Sequence, residues 1–134
     1  MQSISMASEN YIEIGKRYDM QKNDLLKVVL NDLNDLKATN VTPLDVHKAT
    51  PLTDYMVIAT GNSSRHVKAI AENLIHKMKD RHHDLLSVEG DRENEWVLVD
   101  LGDVVVHIMQ QRTRDFYHLE KLWAPHHTTM AATA

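Results

Sequence analysis

The chain predicts an α/β fold, a mixed sheet of about five strands covered by helices, and three observations carry that reading. Apolar residues recur at helical spacing in two long segments, 23–40 and 64–81, and short apolar runs lie between and after them. The strand–helix–strand unit over 54–88 is long enough for a right-handed parallel crossover. WVLVDLGDVVVHIM, residues 96–109, reads as two strands turning around Leu101-Gly102, which adds antiparallel pairing.

In chain order, NDLLKVVLNDLNDLKATN places Leu26, Val29, Leu30, Leu33 and Leu36 on one helical face, with Lys22, Asp24, Lys27, Asp32 and Asp35 on the rest. VTPLDV, 41–46, is a strand whose Pro43 suits an edge or a strand start. After the polar HKATPLT, DYMVIAT barely alternates, as expected of a strand buried on both faces. The helix that follows TGNSS carries Val67, Ile70, Ala71, Leu74, Ile75 and Met78 on its apolar side. Arg65, Lys68, Glu72, Lys79 and Arg81 lie opposite. LLSVEG is a third strand, DREN a turn, and the hairpin comes next. QRTRDFYHLEKLW is helical, with Phe116, Leu119, Leu122 and Trp123 on one face. From this pattern Phe116 and Trp123 belong to the core, while Trp96 and Tyr117 fit core or a protein-binding surface. Residues 1–19 are weakly patterned and read as a mobile N-terminal arm, and 124–134, small and polar, as a disordered tail.

A length of 134 residues, with 43% apolar and 25% charged, fits one globular domain. No run approaches the roughly 20 apolar residues that span a bilayer. The first residues lack the apolar core of a signal peptide, so a cytoplasmic place is expected. The absence of cysteine excludes disulfides, thiolate metal sites and a cysteine nucleophile. A net charge of -4 disfavours extensive nucleic-acid binding and suits docking on a basic partner.

Residues 60–71, TGNSSRHVKAIA, admit three chemistries. A glycine before a helix can expose backbone N–H groups to phosphate, but this stretch matches neither GxxxxGK[ST] nor GxGxxG. Ser63, Ser64 and His66 lack a GxSxG elbow and an orienting carboxylate. Capping of the helix by Asn62 or Ser63 is the simplest account. Asp100 and Asp103 flank the Leu-Gly turn, where acids serve either the turn or a Mg²⁺ ion for phosphoryl transfer. Nine histidines include the adjacent pairs His82-His83 and His126-His127 but no HExxH, so no metal site is expected. His107, alone in an apolar strand, reads as a satisfied core or edge residue.

TDYMVIATGNSSRHVKAIA, VEGDRENEWVLVDLGDVVVHIM and RTRDFYHLEKLW, in this order and spacing, resemble the ribosomal silencing factor (RsfS, or Iojap-like) family. The domain so delimited spans 20–123. The resemblance implies a nucleotidyltransferase-like fold without enzymatic activity and without a cofactor. It implies binding to the large ribosomal subunit through ribosomal protein L-fourteen, steric block of subunit joining and damped translation when nutrients are short. A homodimer is compatible with it. TGNSS is followed by RHVKAIAENL, which lacks the Asp-x-Asp pair of working nucleotidyltransferases. An Mg²⁺-dependent transferase using Asp100 and Asp103 is therefore the alternative. RNA binding through Arg65, Lys68, Lys79 and Arg81 is a further one. Block-matched positions expected to bind the partner are Trp96, Tyr117, Glu120, Lys121, Asp100 and Asp103.

Overall fold

A computed structural model describes residues 22–123. The arm expected over 1–19 and the tail expected over 124–134 lie outside these residues. The elements are α1 (Lys22–Asp35), β1 (Thr39–Asp45), β2 (Tyr55–Gly61), α2 (Ser64–Asp80), β3 (Ser87–Gly90), β4 (Trp96–Asp100), β5 (Val104–Gln110), α3 (Gln111–Tyr117) and α4 (Leu119–Trp123). The strands form one mixed sheet in the order β1-β2-β5-β4-β3.

The parallel pair is β2 with β5, from Tyr55 opposite Val104 to Gly61 opposite Gln110. These are inner strands, and β2 is buried from Met56 to Gly61, which explains its missing polar alternation. All other pairings are antiparallel. The 54–88 unit does run from strand through helix to strand within one sheet. Its strands are not neighbours, however, because β5 and β4 come between β2 and β3. The crossover reaches the far edge, and the later hairpin fills the gap.

Period-two alternation sorts the side chains onto two faces. Val57 and Ala59 join Val97, Val99, Val106 and Ile108 beneath α1 and α2. Met56 and Ile58 face the other way and pack with Leu44, Val46 and Met109, flanked by Trp96, Leu119 and Trp123. The long helices therefore cover one face, and among the described residues only short elements shelter the other.

The α2 stripe is as expected: Val67, Ile70, Ala71, Leu74 and Met78 are buried. In α1 the stripe is rotated. Leu25, Val29 and Leu33 are fully buried, Leu26 and Leu30 are half-buried, and Leu36 is exposed. Asp32, expected on the polar face, is only 2% exposed. Arg81 explains this by donating from Nη1 to Oδ2 at 2.7 Å and from Nη2 to Oδ1 at 2.9 Å. A carboxylate goes inside when a bidentate guanidinium follows it.

The C-terminal segment also corrects the sequence reading. One continuous helix was expected, but His118 adopts a left-handed conformation (φ 51, ψ 47) and separates α3 from α4. The break removes the shared face. Leu119 and Trp123 pack on the sheet, whereas Phe116 stands 75% exposed and Leu122 63% exposed. Phe116 is thus not a core residue.

Candidate functional site

The hairpin register decides what the less covered face displays. Asp100 lies opposite Val105, Leu98 opposite His107, and Trp96 opposite Met109. Trp96 and His107 are therefore diagonal neighbours on one face, within reach of aromatic side chains. The indole Nε1–H donates to His107 Nδ1 at 2.9 Å. An accepting Nδ1 leaves the imidazole proton on Nε2. His107 is only 6% exposed, and burial pushes its pKa down from 6.5 to about 4. The ring is neutral at physiological pH and keeps accepting.

On the outer side of Trp96 lies Tyr117, at 4.9 Å between ring centroids and tilted by 54°. Phe116 meets Tyr117 edge-on at 4.9 Å. From His107 outward the rings pass from buried, through half-buried Trp96, to a 53% exposed tyrosine and the exposed phenylalanine. Such a run of large rings at the surface is the composition that dominates protein–protein contacts.

Arg114 fixes the segment that carries Tyr117. Its guanidinium, 6% exposed, is engaged through all three of its nitrogens. Nε and Nη2 hold Glu120 Oε2 at 2.7 and 2.6 Å. Nη1 reaches the Asn40 carbonyl at 2.7 Å and Thr60 Oγ1 at 2.8 Å, and Nη2 reaches Thr42 Oγ1 at 2.9 Å. Asn40 presents that carbonyl from a left-handed conformation (φ 48), which asparagine tolerates. One side chain thereby ties α3 and α4 to β1 and β2. No sequence signal marks it, since an arginine in QRTRDFY looks solvent-facing.

The stretch 60–71 proves to be a capped helix start. Ser63 Oγ accepts the His66 N–H at 3.1 Å. The His66 ring accepts from the Asn62 N–H at 2.8 Å and donates to the Leu36 carbonyl at 2.6 Å. Both groups needed for nucleophilic chemistry thus have structural partners. Gly61 is present because helix and strand touch: a Cβ there would lie 2.8 Å from Val67 Cγ2.

Of the six expected binding residues, Trp96 and Tyr117 are in contact. Asp100 and Asp103 sit at the opposite end of β4, about 13 Å along the strand from Trp96 at ~3.3 Å per residue. Asp100 accepts the Gly102 N–H at 2.9 Å, where Gly102 has φ 92, so its carboxylate closes the turn. Asp103 is exposed, and its carbonyl accepts the Asp54 and Tyr55 N–H groups. Glu120 is held by Arg114, and Lys121 is exposed on the rim of a groove that Arg114 and Glu120 also line. Among the described residues no three His, Asp or Glu side chains cluster as metal ligands would. No described helix is long and apolar enough to cross a membrane. Of the four cations named for RNA binding, Arg81 is committed to Asp32, while Arg65, Lys68 and Lys79 are exposed.

Comparison with known proteins adds an independent finding. The family model described as "Ribosomal silencing factor during starvation" (RsfS) matches residues 19–133. Ribosomal silencing factor RsfS of Chromobacterium violaceum is 40% identical over 115 residues, 86% of this chain and 94% of that protein. A crystal structure of a protein from the same organism superposes with a TM-score of 0.76 at 42% identity, covering 78% of this chain and 88% of that one. The mouse protein named mitochondrial assembly of ribosomal large subunit protein 1 is 34% identical over 113 residues, 82% of this chain and 47% of its own length.

Proposed function

The chain belongs to the ribosomal silencing factor family, and from that premise we propose that it acts by occupation rather than by turnover. It docks on ribosomal protein L-fourteen of the large subunit, in the cytoplasm, blocks access of the small subunit and so represses translation when nutrients are limiting. Its scaffold is nucleotidyltransferase-like in shape and carries no reaction.

The observation that carries this reading is the exposed aromatic run Trp96–Tyr117–Phe116. Large rings already packed on one another lose little conformational freedom on binding, so their burial converts efficiently into affinity. The overall charge of -4 favours encounter with a basic ribosomal protein. The name of the mouse relative points to a large subunit as the partner. The two hairpin acids, Asp100 and Asp103, offer carboxylates at the far end of the same strand for partner lysines or arginines. Lys121 and Glu120 border the α3–α4 end.

Sucrose-gradient sedimentation of purified subunits with and without the protein tests the reading. The expected result is co-migration with the large subunit and fewer joined ribosomes, both lost with Trp96→Ala combined with Tyr117→Ala. Protein that stays at the top of the gradient while subunits join normally would overturn it.

A further inference from the structure

We infer that His107 is the positioning residue of the aromatic docking surface, its Nδ1 fixing the orientation in which Trp96 meets the partner. This rests on the docking reading above. His107 is a polar ring within the apolar run Val104–Met109, between Val106 and Ile108, both fully buried. An aliphatic residue would serve the core there without the desolvation that burying an imidazole entails. What the imidazole supplies instead is an acceptor, and the one group that uses it is the Trp96 indole.

The consequence is geometric. A half-buried indole needs a partner for its N–H, and the location of that partner selects one ring orientation. With Nε1 anchored on His107 at 2.9 Å, the indole lies against Tyr117 at 4.9 Å between centroids. Without that anchor the indole can turn its N–H to water, and Tyr117 and Phe116 lose the surface against which they are arranged. His107 is too buried to touch a partner, so its whole effect passes through Trp96.

The test uses the full chain, with large-subunit co-sedimentation as the binding readout and the Trp96 indole N–H resonance as the local one. The latter is assigned against Trp123 with a Trp123→Phe control. His107→Leu removes the acceptor and keeps an apolar filling. His107→Asn returns an oxygen close to the place of Nδ1. The expected result is that His107→Leu speeds exchange of the Trp96 indole proton and weakens subunit binding about five- to tenfold, the worth of one neutral hydrogen bond. His107→Asn recovers most of both. Trp96→Phe, which keeps a ring and deletes the donor, weakens binding to a similar degree, and adding His107→Leu to it has little further effect.

Unchanged binding by folded His107→Leu, or equal losses for the Leu and Asn variants, would overturn the assignment. Should His107→Leu not fold, wild-type binding by Trp96→Phe overturns it equally. If Trp96→Ala itself binds normally, the docking reading fails first and takes this assignment with it. Impaired Trp96→Ala beside unimpaired His107→Leu removes the assignment alone.

Discussion

Arg114 grips Glu120 from two nitrogens at once, Nε at 2.7 Å and Nη2 at 2.6 Å, and does so from beneath the surface. The pair lies across the left-handed break at His118, so it sets where α4 turns relative to α3. It also places Tyr117, the last residue of α3, against Trp96.

The first prediction concerns that grip. Arg114→Leu strands the Glu120 carboxylate, the Asn40 carbonyl and the Thr60 hydroxyl, and is expected to cost about 3–5 kcal/mol of folding stability in urea titrations. Glu120→Gln keeps an acceptor facing the guanidinium and should cost only about 1–2 kcal/mol. Near-equal losses would mean that the other three bonds of Arg114, to Asn40, Thr60 and Thr42, contribute little.

A second prediction contrasts two ion pairs that join the ends of α1 and α2. Asp32 and Arg81 meet with the acid buried, while Asp35 and Lys77 meet at 2.7 Å with both side chains about 40% exposed. Asp32→Ala leaves a guanidinium without its partner beside the core and should cost about 3 kcal/mol or more. Asp35→Ala should cost far less than Asp32→Ala, and less still in high salt. The comparison is read from unfolding midpoints at constant m-value.

These pairs also show where the sequence was legible. The α2 face could be read because Val67, Ile70, Ala71, Leu74 and Met78 repeat every three or four residues, and the hairpin because Leu101-Gly102-Asp103 needs a positive φ at its glycine. Trp96 and His107 share a face by counting outward from that turn. Asp32 could not be read, since its burial depends on an arginine 49 residues away. Phe116 was misplaced because nothing local marks a left-handed break at a histidine rather than at a glycine. The spacing within the candidate site was not legible for a simpler reason. Trp96 and Asp100 belong to one short strand yet lie at its two ends, and block resemblance carries no distance.

A third prediction is the pH dependence that His107 imposes. Its pKa is about 4 in the folded chain and near the ordinary 6.5 when unfolded. Between these values the unfolded state binds a proton that the folded state refuses, so stability rises with pH across the window. The contribution is complete above about pH 6.5 and falls by about 1.4 kcal/mol per unit as pH drops toward 4. Asp35 is held below the usual 3.8, first by its hydrogen bond from Lys77, so its contribution is lost only at lower pH. Unfolding free energies of wild type and His107→Asn, measured from pH 4 to 7, should converge as pH falls. Parallel curves would show that His107 does not titrate in this way.

The last prediction separates binding from folding at Phe116. Its ring is 75% exposed, and its ring contact is with Tyr117, itself half in solvent. Truncation therefore removes almost no buried area, and Phe116→Ala should leave unfolding free energy within about 0.5 kcal/mol of wild type. A core position would lose about 3–5 kcal/mol for the same change. If the aromatic run is the docking surface, the same variant should lose about tenfold in large-subunit binding, as truncation of an interface anchor does. Both numbers come from one protein preparation, by urea titration and by co-sedimentation. Stability unchanged with binding reduced is the signature of a residue kept for its partner. Reduced stability with unchanged binding would return Phe116 to a packing role and move the docking surface away from α3.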